Sequence, residues 1–200
     1  MSNTAVYTAI IPDRDLTESA VYPPLRQSEL DRCSNERVKR EKYYVWKLLE
    51  IAIFREFGEQ IENIRFEKNE KGKWLSDSLC FSLSHTDRVV AVAVSDRPVG
   101  VDVEAVRRHR EGLETHILTE SERIELCGLD TDSSWEYIIK KWTQKESIFK
   151  AGDKGVFEPT KIETEEFSVQ TRCLELPFGK YMLSVCSDDA ENVKFVAYDL

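Results

Sequence analysis

The chain has 200 residues, 41% of them hydrophobic and 10% aromatic, which is enough apolar material for a substantial core and too much for a disordered chain. Its formal net charge of -9 argues against general nucleic-acid binding, because that requires a basic face able to displace counterions from phosphates. The five cysteines are odd in number, widely spaced and without a CxxC pair, the pattern of reduced thiols. With no basic leader at the start and no stretch near the ~20 apolar residues of a membrane helix, a soluble cytoplasmic protein is expected.

In chain order, Thr4 to Ile11 is β-branched and apolar and reads as a strand, followed by a loop through Pro23-Pro24. Asn35 to Phe57 shows helical periodicity at Val45, Leu48, Leu49, Ala52 and Ile53, with Ser34 as the expected N-cap and Gly58 as the stop. Its first turns, Glu36 to Lys42, carry four cations and two acids, either a solvated face held by i,i+4 pairs or a phosphate-binding face. An extended segment near Ile64 to Glu67, a turn at Lys71-Gly72-Lys73, and strands at Leu79 to Leu83, Val89 to Val94 and Val99 to Val103 follow. Helices are expected around Glu120 to Cys127 and Ser134 to Ala151, then strands at Glu166 to Thr171, Tyr181 to Cys186 and Lys194 to Tyr198. A helix followed by strands, twice over, predicts an α+β fold of two similar halves meeting near residue 100, with no flexible linker between them.

A strand through Val99, Val101 and Val103 would bury the valines and turn Asp102 and Glu104 to the other face. Such a close acidic pair is relieved by a cation, Arg107 or Arg108 for example, or by a metal ion. In the second long helix the apolar stripe Trp135, Ile138, Ile139, Trp142 reaches Glu146 before Phe149. An exposed i,i+4 pair with Lys150 is worth only about 0.2–0.5 kcal/mol, too little to explain a carboxylate inside an apolar stripe, which favours a functional role. Ser84 and His85 end an apolar run, and His85 is one of three histidines, more often structural than catalytic when it stands alone. Lys73, beside Gly72, could hold a phosphate or form a solvated hairpin tip.

Taken together, FSLSHTDRVVAVAV, GVDVE and KKWTQKESIFKA, in this order, resemble the signatures of the Sfp-type phosphopantetheinyl transferases, and the likeness spans about residues 35 to 160. The chain departs from the family's usual pattern at Trp74, where proline often follows Gly-Lys, and at Thr86-Asp87, where Ser-Gly often follows the histidine.

The resemblance implies two pseudo-symmetric α/β halves, residues 1–100 and 101–200, each a small mixed or antiparallel sheet packed on a long helix, with the active site at their interface. It implies transfer of 4'-phosphopantetheine from coenzyme A to a serine of an apo acyl- or peptidyl-carrier protein, releasing adenosine 3',5'-bisphosphate, by a monomer acting on neither nucleic acid nor membrane. By the same resemblance Asp102, Glu104 and Glu146 would hold Mg²⁺, and Glu146 and Lys150 would be catalytic. Arg40, Lys73, Ser84, His85, Lys145 and Lys150 would hold coenzyme A. Two alternatives stand beside this reading: a Mg²⁺-dependent nucleotide phosphohydrolase, and a non-catalytic module that binds coenzyme A or a carrier protein.

Overall fold

The computed structural model describes residues 3–13, 22–108, 112–152 and 155–200; part of the loop expected before Pro23 lies outside them. Helices are α1 (Pro24–Asp31), α2 (Glu36–Phe57), α3 (Leu113–Ile117), α4 (Glu120–Leu126) and α5 (Thr131–Gly152). Strands are β1 (Ala5–Ile10), β2 (Phe66–Lys68), β3 (Trp74–Ser76), β4 (Cys80–Thr86), β5 (Val89–Ser95), β6 (Val99–Ala105), β7 (Val169–Leu176), β8 (Gly179–Ser187) and β9 (Lys194–Tyr198). The fold is α+β: a four-stranded sheet in the order β4-β5-β1-β9, a three-stranded sheet in the order β6-β8-β7, and the short hairpin β2-β3.

Helix α2 forms because its apolar positions recur at helical spacing and both ends are capped. The N-cap is Asn35 rather than the expected Ser34: its side chain accepts from the Val38 amide, while Gly58 closes the other end at φ 70°. Val45, Leu48, Leu49, Ala52 and Ile53 pack with Tyr7, Ala9, Val90, Val92 and Val94 of the first sheet in one continuous core. Trp74 belongs to the same core, its ring 5.1 Å from that of Trp46, so this departure from the family's usual proline serves packing.

A second core joins Val6, Val89, Ala91 and Ala93 of the first sheet to Val99, Val101, Val103, Leu183 and Val185 of the second. The alternation read from β6 therefore holds, with its valines inward. The last strand, β9, pairs in parallel with β1, so the C-terminal segment completes the first sheet rather than the second. No helix among the described residues is long and apolar enough to cross a membrane.

Candidate active site

The site begins with β4. Side chains alternate along a strand, so Phe81 and Leu83 turn to the α2 core while Ser82, Ser84 and Thr86 turn to β6. Their hydroxyls stitch the two sheets together. Ser82 Oγ accepts from the Val101 amide at 3.0 Å and Ser84 Oγ from the Val103 amide at 3.2 Å, satisfying two backbone donors of β6. Ser84 then donates to Asp102 Oδ1 at 2.8 Å, and Thr86 donates to Glu104 Oε1 at 3.0 Å. Ser84→Ala strands the Val103 amide and removes one of the donors to Asp102 Oδ1; a loss of about 1–3 kcal/mol in urea unfolding is the expected result.

From the other side, α5 brings Lys150 to the same carboxylate. Lys150 Nζ lies 2.7 Å from Asp102 Oδ1, 3.2 Å from the Val101 carbonyl and 4.0 Å from Glu146 Oε2. Burial raises the Glu146 carboxyl above the usual range; Lys150 opposes that shift and Asp102 adds to it. The β2-β3 turn completes the group, because Lys73 Nζ donates to the Lys150 carbonyl at 2.6 Å. A cleft of about 500 Å³ opens there, lined by Gly72, Lys73, Trp74, Leu83, Phe149 and Lys150 among others. It is an apolar-walled space lined by three lysines, Lys71, Lys73 and Lys150, suited to a ligand that is anionic at one end.

Among the described residues no three acidic, histidine or cysteine side chains converge closely enough to grip a metal ion unaided. Asp102 and Glu146 are separated by Lys150, and one oxygen of Glu104 is taken by Thr86 and by the Ala105 amide. The donors are all carboxylate oxygens, the ligand type for a hard cation that completes its shell with water and substrate phosphates. The residues thus fit a shared ion rather than a self-sufficient protein cage.

One residue expected to touch coenzyme A is placed elsewhere. Lys145 is the clear correction: it is fully buried, and its ammonium is used up by Glu122 Oε2 at 2.5 Å and the carbonyls of Ile117 and Pro159, each at 2.9 Å. One residue along a helix turns the side chain by about 100°, so Glu146 turns to Lys150 while Lys145 ties α5 to α4. Arg40 opens on a separate groove of about 390 Å³ lined also by Ile11, Glu36, Arg37, Asp87 and Arg88, and it donates to the Pro12 carbonyl. His85 lies toward α2, with Nδ1 3.0 Å from Glu41 Oε2.

Glu41 and the Thr86 hydroxyl escaped the sequence reading as site groups. Glu41 sits in a charged run that resembles a solvated face, and Thr86 carries no spacing signal beyond its alternation on β4. Asp87, at the β4-β5 turn, has φ 25°, a left-handed conformation that glycine adopts more easily. In return its carboxylate binds Arg37 of α2 at 2.6 Å and Arg107, beyond β6, at 3.1 Å.

Comparison with known proteins gives this geometry its context. A family model described as the 4'-phosphopantetheinyl transferase superfamily matches residues 98–194, which include β6 and α5 with Asp102, Glu104, Glu146 and Lys150. The chain is 37% identical over 99 residues to the 4'-phosphopantetheinyl transferase gsp of Aneurinibacillus migulanus, a match covering 49% of this chain and 42% of that relative. It is 26% identical over 176 residues to the 4'-phosphopantetheinyl transferase Sfp of Bacillus subtilis strain 168, covering 76% of this chain and 77% of Sfp. It is 26% identical over 215 aligned positions to the 4'-phosphopantetheinyl transferase ffp of Bacillus subtilis, covering 88% and 94%. The motifs, the family model and these relatives agree in supporting the 4'-phosphopantetheinyl transferase superfamily, and its Sfp-type group, as the family this chain resembles.

Proposed function

We propose that the protein transfers 4'-phosphopantetheine from coenzyme A to a serine of an apo acyl- or peptidyl-carrier protein. The observation that carries this reading is the Lys150 ammonium held against Asp102 and beside Glu146 at the rim of a cleft reached by Lys73. A pyrophosphate needs cations and hydrogen-bond donors; a serine hydroxyl needs a base. This rim supplies both.

Coenzyme A would place its pyrophosphate at Lys150 and Lys73, with its pantetheine end free for the carrier. The serine hydroxyl attacks the phosphorus next to pantetheine in line with the leaving oxygen. A phosphodiester forms to the carrier, the P–O bond to adenosine 3',5'-bisphosphate breaks, and the serine proton passes to Glu146. Burial raises the Glu146 carboxyl and so makes it a better proton acceptor than an exposed glutamate. Lys150, anchored by Asp102 and the Val101 carbonyl, neutralises charge as it builds on the phosphoryl oxygens. Asp102 and Glu146, with the remaining oxygen of Glu104, would hold Mg²⁺ together with pyrophosphate oxygens; when bound, the ion supplies further charge neutralisation.

The site would lie between the two halves of the chain, so that a monomer is sufficient. Mass spectrometry of an apo carrier protein incubated with this protein, coenzyme A and Mg²⁺ tests the proposal. The expected result is a mass gain of one phosphopantetheine, lost with EDTA and reduced below a hundredth in rate by Glu146→Gln. No gain on any of several carriers, with coenzyme A shown to bind, would overturn it.

A further inference from the structure

The hairpin β2-β3 belongs to neither larger sheet, and each of its strands is three residues long. A two-stranded hairpin is marginal on its own, so other contacts fix where its tip stands. Its base is anchored in the first core, where the Phe66 and Trp74 rings each lie 5.1 Å from that of Trp46. Its tip reaches the other half of the chain. Lys73 Nζ donates to the Lys150 carbonyl at 2.6 Å, and Lys71 Nζ donates to the Gly155 carbonyl at 3.0 Å. Both lysines line the cleft of about 500 Å³.

One side chain organises the turn that carries them. Asn69 Oδ1 accepts from the Lys71 amide at 3.0 Å and from the Lys73 amide at 2.9 Å. The Asn69 carbonyl accepts from the Gly72 amide at 2.9 Å, and the Asn69 amide donates to the Lys73 carbonyl at 3.0 Å. A four-residue turn therefore opens at Asn69 and closes at Gly72, whose φ of 81° is left-handed. This is the three-residue hairpin loop whose bulge falls on a glycine. Asparagine suits its first position because the side chain can stand in for a backbone acceptor.

We infer that Asn69 is a positioning residue for Lys73: it fixes the turn that lays the Lys73 ammonium across the cleft, and so sets the affinity for coenzyme A without touching it. The inference rests on the coenzyme A reading above. An ammonium carries three donors, so Lys73 can hold the Lys150 carbonyl and a phosphate oxygen together. The Lys150 side chain is held separately by Asp102 and the Val101 carbonyl, so loosening the turn leaves the group that acts on the phosphoryl oxygens in place. Asn69 thus acts on binding rather than on turnover.

Calorimetric titration of the whole protein with coenzyme A, paired with KM and kcat in the transfer assay, tests this. Asn69→Ala is expected to weaken coenzyme A binding and raise its KM about tenfold, the loss of one charge-assisted contact, while kcat stays within about twofold of wild type. Gly72→Ala reaches the same turn by another route. Its added methyl meets nothing within 4 Å among the described residues beyond its chain neighbours, so only the left-handed backbone is penalised. It is expected to copy Asn69→Ala, and Gly72→Asn, which tolerates that conformation better, is expected to recover affinity. Lys73→Met weakens binding as well, and adding Asn69→Ala to it is expected to change little further, because Asn69 acts through Lys73. A folded Asn69→Ala protein that binds coenzyme A as wild type does overturns the inference; so does a fall in kcat with KM unchanged, or full additivity with Lys73→Met. A wild-type protein that binds no coenzyme A removes the reading beneath the inference and the inference with it.

Discussion

Lys150→Met is expected to lower pantetheine transfer by about 10²- to 10³-fold, the usual loss when a charge-stabilising donor leaves a catalytic site. Its ammonium contacts Asp102 Oδ1 at 2.7 Å and the Val101 carbonyl at 3.2 Å, and it is the cation 4.0 Å from Glu146. Methionine keeps the length of the stem and removes the charge, so the carboxylates are left to repel each other and the phosphoryl oxygens lose their partner. The side chain is partly exposed, and the fold is therefore expected to survive. Single-turnover rates at saturating coenzyme A, with circular dichroism as the control for folding, measure the effect. A folded Lys150→Met protein within threefold of wild-type turnover would remove this lysine from the chemistry. Arginine is a poor substitute because its planar fork does not fit a point between two carboxylates and a carbonyl.

Gly100→Ala is the second change with a large expected effect, and it acts on the fold that holds the site. A Cβ at Gly100 would stand 1.9 Å from the Ser147 carbonyl oxygen and 2.6 Å from the Ala151 amide nitrogen. Both are backbone atoms of α5, so no side-chain rotation relieves the clash; the helix must move away from β6. Overpacking a well-filled interior costs about 1–3 kcal/mol, and a backbone collision belongs at or above the upper end. The displaced turn carries Glu146 and Lys150, so whatever protein remains folded is expected to have lost transfer as well. Urea unfolding and the mass-gain assay together check the pair of effects. Near-wild-type stability with full activity would mean that β6 and α5 are not packed this closely.

Gly100 also shows how one residue links motif to mechanism. In sequence it opens GVDVE; in the structure it is where β6 and α5 touch, which lets Asp102, two residues on, lie within reach of Lys150. The three signature stretches come together because β6 lies between the other two, with hydroxyls of β4 bonded to it and the end of α5 laid against it.

Much of this was legible in the residues. Hydrophobic periodicity identified α2 and α5, β-branched alternation identified β4, β5 and β6, and the inward valines of β6 left Asp102 and Glu104 to the other side. Glu146 was conspicuous because it interrupts an apolar stripe, a local property. The short elements α1, β3 and α3, eight, three and five residues long, escaped because so few positions hold too few periods. The long-range partners escaped for a different reason. Whether Lys145 or Lys150 faces the cleft depends on where α4 and the carbonyl of Pro159 lie, information spread over distant parts of the chain. Likewise Glu41 reads as one more charge on a solvated face until β4 is laid beneath it. Sequence by itself determined the elements and the types of group available, since periodicity and side-chain chemistry are local; tertiary structure alone decided which charges were buried, paired and shared, because burial depends on what packs from elsewhere.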